Sequence, residues 1–307
     1  MKAGSHLEKI LEKEGFAVTA ELLPPEGSNV DSLKKRAESL KGVVDSINVP
    51  DNPSAVVRMS SLATGTLLAQ IGIEPVVHIG TRDRNRIAIQ SDLFGATALG
   101  VKNVLCLTGD HPCFGNQIES KNVYDLDSVQ LIDCLRNLRD HQTLLGRQEK
   151  IKDQVDLFIG ATANPFADPI ELHVLHLAKK IQAGADFIQT ECIYDMSRFK
   201  EWMKRVCDRG LLQKTYLLAG VSPLRSGNPT QLLRRNTLSL QIPDSVLTRL
   251  TKAKDPEKEG VSLCLEQIFE LKEMEGIRGI HVMGMEYEPD VRQIVEKAGL
   301  LPRPGIA

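Results

Sequence analysis

Glu21 stands in the otherwise apolar run Ala20-Glu21-Leu22-Leu23, just ahead of Pro24-Pro25. Burial of such a carboxyl disfavours its anion and keeps a proton available near neutral pH, which is what a general acid requires. A strand-end glutamate that only pairs with a neighbouring cation is the competing reading. Asp110 follows Thr108-Gly109. The glycine lets the backbone approach a flat ligand closely and the carboxylate can accept from ring N–H donors, although a simple turn aspartate fits the same residue types. His78, in the run Pro75 to Gly80, is either a satisfied buried histidine or a ligand-contacting donor. Lys179 and Lys180 follow an apolar helical run and precede Gln182-Ala183-Gly184, where two solvated charges near a helix end are the plain alternative to an anion site. His173 and His176 lie three apart on one helical face, with no acidic or cysteine companion at ligand spacing. The six cysteines, Cys106, Cys113, Cys134, Cys192, Cys207 and Cys264, form no Cys-x-x-Cys pair and no Cys/His spacing of the zinc or iron–sulfur kind. No protein-bound metal is expected, and most of these thiols read as reduced core residues.

Such scattered groups can act together only if the elements carrying them converge. Eight short runs rich in Val, Ile and Leu supply the means: Phe16 to Leu23, Val43 to Val49, Pro75 to Gly80, Asn103 to Thr108, Leu157 to Thr162, Asp186 to Glu191, Tyr216 to Val221 and Gly279 to Gly284. Helical periodicity fills the intervals at Asp31 to Leu40, Ser54 to Ile71, Asp83 to Leu99, Asp127 to Leu145, Ile170 to Ala183 and Ser197 to Arg209. That alternation predicts a parallel sheet wrapped by helices. Eight units can close into a TIM-type (β/α)8 barrel, and no Gly-x-Gly-x-x-Gly follows the first run as an open dinucleotide-binding sheet would require. The stretch from Pro229 to Glu275, with Pro243-Asp244 opening a helix, reads as extra helices before the last strand within one domain spanning residues 1–307.

In this architecture chemistry sits at the carboxyl ends of the strands. Those ends read Glu21 to Pro25, Asn48 to Asp51, His78 to Gly80, Thr108 to Asp110, Thr162 to Pro165, Gln189 to Glu191, Gly220 to Pro223, and His281 through Glu286, all polar or turn-forming. With 42% hydrophobic and 25% charged residues the chain can build a large core, and a formal charge of -2 gives no general attraction to nucleic acid or anionic membranes. A small-molecule ligand fits better. No apolar run approaches the roughly 20 residues of a membrane span, and Met1 to Gly15 is a charged amphipathic stretch without a signal-peptide block, so a cytoplasmic location is expected.

Taken in order, these strand ends resemble the methylenetetrahydrofolate reductase family, specifically the bacterial type that consists of the catalytic barrel alone. The resemblance runs from Phe16 to about Pro304. It is carried by Glu21-Leu22-Leu23-Pro24-Pro25, by Gly109-Asp110-His111-Pro112, and by Lys180-Ile181-Gln182-Ala183-Gly184-Ala185 leading into the sixth strand. The resemblance implies a flavin, FAD or alternatively FMN, and reduction of 5,10-methylenetetrahydrofolate to the 5-methyl compound. It places the general acid on Glu21 and the carboxylate between flavin and pterin on Asp110. It assigns flavin contacts to Asn48, His78, Leu107, Thr108, Gly109, Asp110, Thr162, Asn164, His176, Lys179, Lys180 and Ala185, and substrate contacts to Glu21, Asp110 and Glu191. Electrons would come from NAD(P)H or from a partner protein, and a homo- or hetero-oligomer is compatible with the family. The sequence departs from the family pattern in three places. Gln189-Thr190-Glu191 puts a carboxylate where a Thr-Gln pair is usual, His173 and His176 replace the familiar polar residues of the pyrophosphate-handling helix, and Leu224 to Gln231 lacks an aromatic platform for a nicotinamide. A pterin-dependent methyltransferase without flavin and a non-catalytic barrel subunit are the alternatives.

Overall fold

A computed structural model describes residues 1–226, 242–283 and 288–305. Eight parallel strands close on themselves in sequence order: β1 (Ala17–Glu21), β2 (Ser46–Val49), β3 (Pro75–Gly80), β4 (Asn103–Leu107), β5 (Phe158–Ala163), β6 (Phe187–Cys192), β7 (Tyr216–Val221) and β8 (Ile277–Val282). Closure is made by β8 against β1, in the register Ala17 to Gly279 and Thr19 to His281. The helices around them are α2 (Val30–Glu38), α3 (Ser61–Gln70), α4 (Arg86–Ala98), α5 (Ser128–Arg136), α6 (Ile170–Ala183) and α7 (Met196–Asp208). Between β7 and β8 the described residues include two further helices, α8 (Asp244–Lys252) and α9 (Pro256–Lys272), and α10 (Glu288–Lys297) follows the last strand. The expected barrel with helices inserted before the last strand is therefore what the chain forms.

Strand alternation divides each strand between two environments. Outward residues such as Val18, Ala20, Val77, Ile79, Val104, Ile159, Ile188 and Ala219 join the helices in the main apolar core. Inward residues form layers. At the amino end Ala17, Val76, Leu105, Phe158, Phe187 and Leu218 pack together, with the Phe158 and Phe187 rings stacked at 5.0 Å. The floor beneath them is α1 (His6–Glu12), whose Leu7, Ile10 and Leu11 are fully buried against that layer. The charged amphipathic opening of the sequence is thus a plug, started by the Ser5 side chain accepting from the Glu8 amide at 3.1 Å. Burying three such aliphatic side chains contributes about 1.5–3 kcal/mol each.

Two helical expectations were too long. Between Ser54 and Ile71 the helix begins only at Ser61, because Asn52, Ser54 and Ala55 take left-handed φ values of 45°, 57° and 58° and Ser60 caps the Ala63 amide at 3.2 Å. The run from Asp127 to Leu145 ends its α-helix at Arg136 and continues as a single π turn, Asn137–His141, until Gln142 turns left-handed with φ 55°. The third and seventh strands keep their expected bounds, and the others shift by one to three residues at one or both ends; the expected end of the eighth at Gly284 lies outside the described residues, as do residues 227–241 of the β7 connection and residues 284–287 of the β8 mouth loop.

Candidate active site

Above the apolar floor the barrel interior turns polar. Thr19 on β1, Asn48 on β2, His78 on β3, Gln189 on β6 and His281 on β8 are all buried inside it. Asn48 Nδ2 donates to Gln189 Oε1 at 2.6 Å and lies 2.9 Å from His78 Nε2; Gln189 Nε2 donates to Thr19 Oγ1 at 3.1 Å, and Thr19 Oγ1 lies 2.9 Å from His281 Nδ1. Burial holds both imidazoles down at about 3, so they are neutral and serve as hydrogen-bonding groups. This network is the platform on which the mouth is built. Every member has a partner, which is what makes a buried polar layer tolerable.

Two residues further along the same strands stand Glu21 and Glu191, both half-buried. Desolvation, and then the charge of Glu191, raise the Glu21 carboxyl to about 7, against the opposing influence of Arg58. Glu191 is itself raised by burial and by Asp110, while Lys180 opposes that shift. Gln189 enters the polar layer, and the Thr190 hydroxyl accepts from Gly220 N at 2.9 Å. The register of β6 against β7 shifts between Gln189 and Cys192, a bulge that contains Glu191.

Lys180 is buried, and its ammonium donates to the Thr162 carbonyl oxygen at 2.7 Å. Desolvation lowers its pKa, so the cation favours an anionic or strongly accepting partner at the mouth. Gly109, with φ 91°, gives the loop after β4 its left-handed turn, and a Cβ there would meet Arg82 Cβ at 3.1 Å. Asp110 sits exposed on the rim, its Oδ2 accepting from Ser54 N at 2.9 Å and its carbonyl from Arg82 Nη1 at 3.0 Å. Thr108 Oγ1 accepts from Ser128 N at 3.2 Å at the start of α5, Leu107 closes β4 half-buried, and Asn164 Oδ1 receives the Phe166 amide at 2.9 Å.

Three of the expected contacts fall elsewhere. Ala185 is buried in the main core at the connection from α6 to β6, beside Asp186, which pairs with Lys2 and Arg139. That is the amino end of the barrel, because the strand must run its whole length before reaching Glu191, so Ala185 is not at the mouth. Lys179 lines an outer groove between α5 and α6 with Arg136 and Gln182, and His176 is exposed on α6, its pKa lowered by partial burial and then by Lys180. Helix periodicity explains the separation: Lys180 faces the strands, and its neighbour Lys179 is turned about 100° away.

Sequence reasoning passed over Thr19, Arg58 and Arg82. Thr19 was legible as the polar residue two places before Glu21, on the same face. Arg58 donates to the Pro24 carbonyl at 2.8 Å, and buried Arg82 joins the loops after β2 and β4 through the carbonyls of Asn52 and Asp110. The signal for Arg82 is the charged run Thr81-Arg82-Asp83-Arg84 directly after an apolar strand.

The family model for methylenetetrahydrofolate reductase matches residues 6–299. The chain belongs to the methylenetetrahydrofolate reductase family. Among its relatives, a probable methylenetetrahydrofolate reductase (NADPH) of Caenorhabditis elegans is 23% identical over 96% of this chain and 44% of its own length. Methylenetetrahydrofolate reductase 1 of Schizosaccharomyces pombe is 25% identical, over 94% of this chain and 47% of its own. The chain thus spans about half the length of these two relatives, but 87% of a 21% identical 5,10-methylenetetrahydrofolate reductase from Pectobacterium carotovorum. Among solved structures, an uncharacterized protein from Clostridium thermocellum that binds two copies of 5-methyl-5,6,7,8-tetrahydrofolic acid superposes with a TM-score of 0.67 at 15% identity, covering 95% of this chain and 98% of that one, a likeness of fold. Proteins of the family are generally flavin-dependent.

Proposed function

We propose that this chain reduces 5,10-methylenetetrahydrofolate to 5-methyltetrahydrofolate with a bound flavin, Glu21 supplying the proton. The observation that carries the reading is a mouth carboxyl held at about 7 by burial and by a second acid, directly above a neutral polar platform. A group so tuned is largely protonated at neutral pH and can open the bridged imidazolidine ring by protonating its nitrogen.

The donors and acceptors present suit a flavin. An isoalloxazine offers acceptor carbonyls and an N–H along one edge, and the mouth answers with the Lys180 ammonium, the Thr108 hydroxyl, the side-chain-free Gly109 backbone and the Asn48 and His78 groups beneath. When bound, the flavin supplies the hydride that completes the methyl group. Lys180 would hold its anionic edge, and Glu191 and Asp110 would accept from the amino and ring N–H donors of the pterin. FAD is the flavin favoured by the family; its phosphates would have to reach beyond the mouth to be held by His176 and Lys179 of α6, whereas FMN would need neither.

Binding of methyltetrahydrofolate by the Clostridium protein, a product-like ligand on the same fold, supports a folate at this mouth. The names of relatives specify NADPH or NADH. This chain's β7 loop, Leu224 to Gln231, has no aromatic residue to stack a nicotinamide, although residues 227–231 lie outside the described structure. We therefore assign its electrons to a protein partner docked at the mouth. The test of the function is direct: the purified chain should carry a flavin absorbing in the visible and, once reduced, convert methylenetetrahydrofolate to methyltetrahydrofolate. A colourless protein that transfers a methyl group instead would establish the methyltransferase reading.

A further inference from the structure

Thr81-Arg82-Asp83-Arg84 leaves β3 directly into the rim of the mouth, and Arg82 is only 4% exposed there. Its main chain bridges the loop that follows β4. The Arg82 N–H donates to the Thr108 carbonyl at 3.0 Å and the Arg82 carbonyl accepts from Val123 N at 2.8 Å, so both ends of that loop are tied to one residue. Its side chain uses every donor of the guanidinium. Nε and Nη2 donate to the two carboxylate oxygens of Asp83 at 2.8 and 2.6 Å, and Nη1 donates to the Asp110 carbonyl at 3.0 Å. Nη1 and Nη2 both reach the Asn52 carbonyl, at 3.4 and 3.3 Å. One rigid plane therefore fixes a carbonyl of the loop after β2 against a carbonyl of the loop after β4.

What this plane controls is the approach of a backbone amide to a carboxylate. Asn52, Ser54 and Ala55 are left-handed, with φ of 45°, 57° and 58°, and the turn they make directs Ser54 N at Asp110 Oδ2, 2.9 Å away. Two further contacts close the same seam. Val57 N donates to Asn116 Oδ1 at 3.1 Å, and Gly115 lies so close to Ala55 that an added Cβ would stand 1.9 Å from its carbonyl oxygen. Gly109, which turns the chain into Asp110, packs on Arg82 itself, a Cβ there meeting Arg82 Cβ at 3.1 Å. With Oδ2 held by Ser54, Asp110 Oδ1 has no protein donor among the described residues and stands ready for a ligand.

We infer that Arg82 is a positioning residue of the mouth: by holding the carbonyls of Asn52 and Asp110 together it sets where the Asp110 carboxylate stands, and through that carboxylate it governs affinity for the N–H-bearing ring received there. The inference rests on the proposed reductase reading only in taking that ring to be a reduced pterin. A buried arginine is a costly way to join two loops, since an apolar staple of similar volume would serve stability as well. A planar fork of donors adds what an apolar side chain and a lysine both lack, a fixed angle between two carbonyls. Asp83 takes the charge of Arg82, so the guanidinium acts through geometry and leaves the Asp110 carboxylate to the ligand.

The experiment uses the whole chain and has two readouts. Without any ligand, hydrogen exchange of the Ser54 amide, followed by ¹⁵N NMR, reports the bond from Ser54 to Asp110. Exchange should quicken about tenfold in Asp110→Ala, and by a comparable factor in Arg82→Met and in Arg82→Lys, the last keeping the charge and losing the fork. With 5-methyltetrahydrofolate as the probe, Arg82→Met and Asp110→Ala should each raise Kd about tenfold, and the double variant should bind no more weakly than Asp110→Ala alone, because both act through one carboxylate. A residue that merely stabilises the fold gives the product of the two effects, about a hundredfold. That product would overturn the inference, as would Ser54 exchange that Asp110→Ala quickens and Arg82→Lys leaves unchanged. Should Arg82→Met not fold, Arg82→Lys takes its place in both readouts. If the unsubstituted chain binds no folate the reductase reading falls, while quickened exchange still upholds, and unchanged exchange still removes, the hold of Arg82 on Asp110.

Discussion

At the residue scale the account depends on protonation of Glu21, and this has a thermodynamic signature. Its folded pKa, about 7, lies above the ordinary 4.5, so the folded state holds a proton that the unfolded chain releases. Stability attributable to this group is therefore lost as pH rises from 4.5 through 7, at most about 3 kcal/mol, and the loss is complete above that window. Glu21→Gln should raise the melting temperature of the flavin-free protein at pH 8 and leave it unchanged near pH 4.5; equal shifts at both values would mean that the carboxyl is not desolvated. Asp110→Asn removes a charge that raises Glu191, so it should weaken folate binding and alter flavin reduction while leaving the fold intact. Absence of both effects, in a folate titration and a flavin redox titration, would remove Asp110 from the site. Glu21 and Asp110 were legible because each breaks a local pattern, an acid in an apolar strand and a turn after glycine. Thr19, Gln189 and His281 were harder, since their meaning lies in a network joining β1, β6 and β8 that no local window contains.

At the element scale every strand was legible, because parallel strands buried on both faces are short continuous apolar runs between helical stretches. Boundaries were less so: Asn52 to Ala55 and the turn at Gln142 depend on left-handed backbone that residue types other than glycine seldom announce. Ala185 was misplaced for a related reason. A motif quoted as one linear stretch, Lys180 to Ala185, spans from a side chain reaching the mouth to a backbone at the floor. The floor itself is testable. Gly160 faces the Phe187 ring so closely that an added Cβ would stand 2.3 Å from it. Gly160→Ala should therefore destabilise the barrel by about 1–3 kcal/mol through overpacking, and Leu11→Ala by about 2–5 kcal/mol through a cavity under the same layer. Urea unfolding checks both; a Leu11→Ala loss under 1 kcal/mol would mean that α1 is an accessory and not a plug.

At the scale of the whole molecule, eight β/α units gather residues from Glu21 to His281 into one mouth, and that convergence was predictable from the repeat alone. How electrons enter was not, since the β7 loop that bears on it lies partly outside the described residues. Stopped-flow mixing with NADH and with NADPH should bleach the flavin slowly; rapid bleaching at micromolar nucleotide would replace the partner protein with direct reduction. The central claim, that Glu21 protonates a methylene-folate for reduction at this mouth, is tested by the oxidative half-reaction. The chain is photoreduced without oxygen, mixed with methylenetetrahydrofolate, and the return of flavin colour followed at pH 7. The unsubstituted protein should reoxidise with formation of methyltetrahydrofolate, and Glu21→Gln about 10² to 10⁴ times more slowly. Equal rates in the two proteins, or no reoxidation by the folate in either, would contradict it.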